Sequence, residues 1–362
     1  MKIVFLLAAL LFCQAYLCAQ NLLFKGRIGN RPIVMQLDTS YETVSGEYCY
    51  WDRKKLVFID GSKDRSGSIT LADSRETQTF QLAARGKGYT GTLTEGGRKI
   101  KVELKPASLS EYANPYGAFK FVGDWKKESP INYAVASGYV FQRTGTDTLG
   151  GHLVERLREK YTKVLTVRIA GEQTAATVRI NNKLMEVAIE AAMNASECGE
   201  YGDDAFDMDI NKLYINSSVL SVSFYSTVYC GGAHPGEISD AYNFDRSTGK
   251  MLRLEDVLWL GKGNPPAQGS EDWYKYRDSV LAPWLFRTFS RLYPPQVSGY
   301  DTGCAYDNAD AWQEFKWCFT KKGLYIGPQF AHVAAACNDP EWSVIPYAIV
   351  RKYKNPKCRL DF

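Results

Sequence analysis

The chain has 362 residues, of which 44 are Lys or Arg and 40 are Asp or Glu, a formal net charge of +4. That is too small a field to gather nucleic acid or an acidic polymer by charge alone. The length exceeds what one hydrophobic core usually serves, so two domains are expected. Aromatic residues reach 13%, with 23 Tyr and 8 Trp, enough to fill β-sheet faces and leave some for sugar or protein surfaces.

Lys2 precedes an unbroken apolar run from Ile3 to Phe12, and Leu17, Cys18, Ala19 and Gln20 supply small residues for a signal peptidase. Residues 1–20 therefore read as a signal peptide, with export to the periplasm or outside the cell. Soluble export is favoured over a lipid anchor at Cys13 or Cys18, because Leu11-Phe12 and Tyr16-Leu17 lack the small residue such an anchor needs just before it. No later apolar run approaches the ~20 residues that cross a bilayer, so no membrane span is expected.

Residues 21–107 alternate and turn repeatedly. Ile33, Met35 and Leu37 point one way and Val34 and Gln36 the other; the Asp60-Gly61 and Glu95-Gly96-Gly97 turns punctuate further short runs such as Ile100-Lys101-Val102-Glu103-Leu104. Short strands joined by Gly and Asp turns predict a small antiparallel β barrel or sandwich. Residues 108–130, rich in Tyr, Gly, Asn and Pro, read as a linker.

Residues 131–362 mix helices with a sheet, giving an α+β class overall. Leu153, Leu157 and Tyr161 are spaced as a helix; Leu184, Val187, Ala188, Ala191 and Ala195 are spaced as a second. Between them, 161–169 and 177–180 read as strands. From Val219 to Cys230 the chain alternates, with Leu220, Val222, Phe224, Val228 and Cys230 on one face and the serines, Thr227 and tyrosines on the other. This predicts a long half-buried strand whose exit loop is Tyr229-Cys230-Gly231-Gly232-Ala233-His234-Pro235-Gly236. A hairpin over 241–254 follows, then a helical stretch over 272–292 in which Pro283 kinks the helix or starts its second half. Residues 315–319, 323–326 and 344–350 close the chain as strands.

Beyond Cys13 and Cys18, seven cysteines follow: Cys49, Cys198, Cys230, Cys304, Cys318, Cys337 and Cys358. No close CxxC spacing marks a zinc site, so in an oxidising compartment they read as disulfides first. Connectivity is open at this level. Cys198 with Cys230 and Cys304 with Cys337 would each close a loop of about thirty residues, stabilising by about 3–4 kcal/mol in the chain-entropy account. Cys49, alone in the N-terminal part, is the candidate free thiol.

Across 161–353, Ile180-Asn181-Asn182, the Ser-Val-Ser-Phe strand, Gly-Ala-His-Pro, Tyr-Asn-Phe-Asp, Thr-Gly-Lys, Leu-x-Leu-Glu-Asp-Val, Phe-Thr-x-x-Gly-Leu and Ile-Pro-Tyr follow in order. This succession resembles the PdaC/RsiV-like extracytoplasmic domain family. The resemblance implies an α+β fold in the cell envelope and a binding role; one member is a lysozyme-binding anti-sigma factor, and another precedes a peptidoglycan deacetylase domain. The chain departs from both in having no expected membrane span and no deacetylase metal motif.

The expectation for function is an exported, non-catalytic envelope protein that binds a lysozyme-like protein or a peptidoglycan-type glycan through Tyr229, Gly232, His234, Asp240 and Tyr242. No nucleic acid, cofactor or metal is expected. The alternative is an envelope-polymer hydrolase, or a deacetylase-associated enzyme, using His234 and Asp240 as an acid–base pair. A metal at His234 lacks partners, since His152 and His332 lie far off in sequence, and no G-x-S-x-G elbow offers a nucleophile. The acidic run with Asp203, Asp204, Asp207 and Asp209 lacks the glycine and terminal glutamate of a calcium loop. Asn194 and Asn216 begin glycosylation sequons, a short and weak signal.

Overall fold

A computed structural model describes residues 21–202, 205–298 and 303–362. The expected signal peptide, and Asp203 and Asp204 of the acidic run, lie outside the described residues. The chain divides into two compact units, Met1–Tyr139 and Val140–Phe362.

The first unit is a closed antiparallel barrel in which each strand pairs with the next in sequence. Its strands are β1 (Asn21–Ile28), β2 (Arg31–Asp38), β3 (Thr43–Tyr50), β4 (Lys55–Lys63), β5 (Ile69–Asp73), β6 (Gln78–Arg85), β7 (Gly88–Glu95) and β8 (Arg98–Pro106). β1 pairs with β8 to close the ring, from Phe24 opposite Pro106 to Ile28 opposite Val102. Inward positions such as Phe24, Met35, Leu37, Tyr48, Phe80 and Leu93 are buried and fill the interior, as an eight-stranded barrel allows. At Gly91 in β7 a Cβ would sit 1.8 Å from the Gln81 carbonyl oxygen, so only glycine lets the two strands approach there.

The segment 108–130 is not bare chain. A short 3₁₀ turn, Leu109–Glu111, opens with a capping box between Ser108 and Glu111, and α1 (Lys120–Glu128) and α2 (Pro130–Ala136) follow, with Pro130 at the start of α2. α2 lies on the outer face of β2, where the Ile131 amide donates to Gln36 Oε1 at 3.0 Å. That cover explains why Val34, on the outward side of β2, is fully buried.

In the second unit, β9 (Phe141–Leu149), β10 (His152–Glu159) and β11 (Leu165–Ala170) form one sheet. The helix expected from Leu153, Leu157 and Tyr161 is thus a strand. The buried residues of β10 are Val154, Glu155, Leu157 and Glu159, so its alternation is hidden by two buried carboxylates. Glu155 pairs with Arg168 and Arg143 on the flanking strands. Glu159 accepts from the amides of Val140 at 2.9 Å and of Tyr161 and Thr162, each at 2.7 Å.

α3 (Ala175–Glu197) begins two turns earlier than its apolar spacing showed, and residues 177–180, expected as a strand, lie inside it. Thr174 caps it by accepting from the Thr177 amide, and burial of Thr177 and Ile180 overrides the β propensity of the Thr-Val-Arg-Ile run. Asn181 then plays strand to the edge of β11: its Oδ1 accepts from the Ile169 amide and its Nδ2 donates to the Ile169 carbonyl, both at 2.9 Å.

The next sheet is β12 (Phe206–Ile215), β13 (Val219–Val228) and β14 (Gly236–Asp245), and the last is β15 (Phe315–Phe319), β16 (Gly323–Pro328) and β17 (Val344–Pro346). β13 is more than half-buried, because Ser221 and Ser223 on its polar face are also buried. Ser221 Oγ accepts from the Phe319 amide at 3.0 Å, and Asn243 Nδ2 donates to the Trp317 carbonyl at 2.8 Å, so small polar side chains stitch this sheet to β15. The expected second hairpin strand over 251–254 is reduced to one bridge, Phe244 to Met251, before α4 (Leu254–Val257). The helical stretch is α5 (Glu271–Tyr276), a π turn Arg277–Leu281 and α6 (Ala282–Leu292). Pro283 has no N–H for the preceding turn, which accounts for the break before α6. Leu285, Phe289, Trp312, Phe319, Leu324 and Ile345 share one core. Residues 347–350, expected as strand, turn helical after Pro346.

Candidate ligand-binding site

The β13–β14 connection is the glycine-rich loop 229–235, and its shape follows from its residues. Gly231 and Gly232 take φ of +91° and +108°, conformations that a side chain resists. The Tyr201 ring lies over Gly231, where a Cβ would be 2.8 Å from the Tyr201 hydroxyl. The Tyr229 hydroxyl donates to the Gly232 carbonyl at 3.1 Å. Cys230 is bonded to Cys198, just past the end of α3, with Cα atoms 4.5 Å apart.

His234, at the exposed tip, meets His332 edge to face, ring centroids 4.7 Å apart and planes at 87°. The sequence places these residues in unrelated contexts; the fold joins them. His332 opens the 3₁₀ segment His332–Cys337, which Cys337 ties to Cys304 with Cα atoms 5.6 Å apart. Each histidine therefore rides a short segment held by its own disulfide. Cys49, Cys318 and Cys358 are unpaired; burial pushes the Cys49 and Cys318 thiols up to about 12. Beside His332, Val333 is 99% exposed, an apolar tip with no burial to recommend it in a monomer.

A cleft of about 480 Å³ is lined by one face of the sheet and by the segment after β16. Asp209, Tyr225 and Ser239 stand opposite one another on β12, β13 and β14, and Glu237 joins them from β14. Gln329, Asn338 and Asp339 supply the other wall. Asp339, at φ +52°, accepts from the Tyr325 hydroxyl at 3.3 Å and from Gln329 Nε2 at 3.2 Å. Burial, with the Asp339 carboxylate nearby, raises the Tyr325 phenol far above its ordinary value. Burial also raises Tyr225, followed by its hydrogen bond to Glu237. Among the described residues none of Asp209, Glu237 and Asp339 forms an ion pair. The cation beside this wall, Lys212, is turned over the Tyr325 ring at 4.0 Å.

The alternation of β14 sorts the residues singled out from sequence onto different sides. Tyr229, Gly232 and His234 belong to the loop. Asp240 and Tyr242 lie on the opposite face from Glu237 and Ser239, in a second hollow of about 250 Å³ with Glu190, Asn194 and Phe224. Asp240 receives Lys316 Nζ at 3.0 Å, and burial, followed by Asp240, raises Tyr242. No carboxylate hydrogen-bonds to His234 among the described residues. Asp207 and Asp209 lie on a strand rather than in a loop, and no group of three or more His, Cys, Asp or Glu among the described residues is placed to hold a metal. Asn216 holds the β12–β13 turn by accepting from the Ser218 and Val219 amides, each at 2.8 Å.

His152, the remaining histidine, is part of a separate ionic cluster. The Arg246 guanidinium, only 6% exposed, grips both Glu172 oxygens at 2.7 Å and donates to His152 Nε2 at 2.9 Å. With Nε2 accepting, Nδ1 carries the hydrogen and donates to Glu172 at 3.0 Å.

No protein-family model matches the chain, and no curated protein matches it. The two disulfides are compatible with an extracellular location, and no helix among the described residues is long and apolar enough to cross a membrane.

Proposed function

We propose that the protein is an exported, non-catalytic envelope protein, PdaC/RsiV-like in its second unit, that binds a cationic, lysozyme-like protein in the cleft between Glu237 and Asp339. The observation that carries this reading is a cleft lined by three carboxylates without counter-cations. Its neighbours, the exposed His234, His332 and Val333, sit on segments that disulfides hold in place. A basic side chain inserted there adds charge-assisted hydrogen bonds to carboxylates that neutral groups, such as Tyr325 and Gln329 at Asp339, otherwise satisfy. The fixed loops reduce the ordering cost of association. The hydrolase alternative finds less support, because His234 packs on His332 while Asp240 is engaged with Lys316 on the other face.

The test is biosensor binding of the secreted chain to a lysozyme and to the same lysozyme with its lysines acetylated. Binding that weakens with salt, is lost on acetylation and drops about tenfold or more in Asp209→Asn/Glu237→Gln/Asp339→Asn supports the reading. Unchanged affinity in that triple variant, or release of product from peptidoglycan, overturns it.

A further inference from the structure

The barrel carries a second cleft, of about 360 Å³, on its outer wall where β8, β1 and β2 run side by side. Its lining differs in kind from that of the acidic cleft. Trp51 and Tyr112 form a tilted pair, centroids 5.7 Å apart at 45°, and Pro32 and Ile33 extend the apolar surface; the rim is Lys25, Arg27, Glu103 and Lys105.

The Trp51 indole is held, not loose. The Trp51 backbone amide donates to the Pro32 carbonyl at 3.0 Å, and the Lys54 ammonium lies 3.1 Å from the ring centroid. Gly138 closes the same place: a Cβ there would fall 2.1 Å from Lys54 Nζ and 3.1 Å from the indole ring. The attraction between the ammonium and the face of the ring fixes the indole in place. Burial, followed by Glu111, pushes the Tyr112 phenol up to about 12, so it remains a neutral donor in any ordinary medium.

The rim charges are unequal. Lys25 is paired with Glu111, and Glu103 with Lys101 at 2.6 Å. Arg27 and Lys105 form no ion pair among the described residues, and they face each other's neighbours across the β1–β8 ladder, where Lys25 stands opposite Lys105 and Arg27 opposite Glu103. The cleft thus presents two aromatic walls and two cations that form no ion pair among the described residues, with Glu103 committed to Lys101.

We propose that this cleft binds a pyranose sugar bearing a carboxylate, its C–H face against Trp51 and Tyr112 and its carboxylate on Arg27 and Lys105. Aromatic rings take the apolar face of a sugar, and a guanidinium takes a carboxylate through two parallel hydrogen bonds. A neutral sugar satisfies only the walls, and a small inorganic anion only the rim. This site is independent of the acidic cleft: the two units could bind different ligands.

The experiment is saturation-transfer NMR and calorimetric titration of the full secreted chain with N-acetylmuramic acid, glucuronic acid and N-acetylglucosamine. We expect both acids to bind with dissociation constants near or below about 1 mM, the order of affinity typical of a single small ligand in an open site. The neutral sugar should bind about tenfold or more weakly. Whichever acid is tighter identifies the source, a peptidoglycan-type or a uronate-bearing glycan. Arg27→Gln/Lys105→Gln, both exposed and safe for folding, should erase the preference for acids, and Trp51→Ala should weaken all three sugars. Equal binding of neutral and acidic sugars, no binding of either acid, or a preference unaltered by the rim double variant overturns the proposal.

Discussion

Single residues in this molecule are often committed through charge rather than through apolar area. Glu172 is the clearest case: desolvation opposes its ionised form, but the hydrogen bond from His152 and the charge of Arg246 outweigh it, and its carboxyl lies below the usual range. A carboxyl whose folded value is depressed contributes stability above its unfolded value, about pH 4.3, and loses it as pH falls through the folded value. Glu172→Gln should therefore be destabilised by about 2 kcal/mol at pH 7, since it leaves the buried Arg246 without its ionic partner. The gap to the parent should narrow as pH falls through the depressed folded value, where the parent is protonated too; urea unfolding at pH 7 and in acid measures it. The same chemistry explains what the sequence concealed. Glu155 and Glu159 are buried in β10, and a reading based on hydrophobic period takes buried carboxylates for solvent-facing ones. The partners that make their burial tolerable, Arg143, Arg168 and the amides of residues 140, 161 and 162, come from three different places in the chain.

Elements that follow a strict period were readable in advance, and those that depend on a partner were not. Most barrel strands alternate because one face meets the interior and the other meets solvent; β2 is buried on both faces because α2 covers its outer side, yet Ile33, Met35 and Leu37 still mark the interior. The serines of β13 look like a wet face, yet that face is covered by β15, and nothing local to β13 encodes the cover. The candidate site shows the same divide. The glycine loop and the pairings of Cys198 with Cys230 and Cys304 with Cys337 agree with spacing along the chain. The row of Asp209, Tyr225 and Ser239 exists only through strand register, and the meeting of His234 with His332 only through the fold. The staples have a measurable role at this scale. Cys304→Ser/Cys337→Ser opens a link of sequence separation 33, which should cost about 3–4 kcal/mol. Cys198→Ser/Cys230→Ser should speed amide exchange in residues 229–236 well before global unfolding, as read by hydrogen–deuterium exchange.

For the whole molecule, the division at Tyr139 and Val140 separates two different ways of being stable. The barrel has no disulfide and relies on a filled interior and a ring of ladders without a free edge. The second unit holds both disulfides and a buried ion pair, Arg277 with Glu255. A thiol reductant should thus lower the unfolding temperature of residues 140–362 while leaving that of the barrel within about 1 °C, a difference that calorimetry with hydrogen exchange resolves. A common shift of both would show that the units unfold as one.

The closure of the barrel also bears on the order in which the chain meets an oxidant. All eight strands are complete by Pro106, and the next cysteine after Cys49 is Cys198. A chain that emerges from its N-terminus can complete the ring, and bury Cys49 entirely, before any later thiol arrives. Exchange needs an accessible thiolate, and burial has taken both properties from Cys49. The barrel then protects the later pairings simply by folding first, removing Cys49, which among the described residues is the cysteine upstream of Cys198 and Cys230, from competition for them.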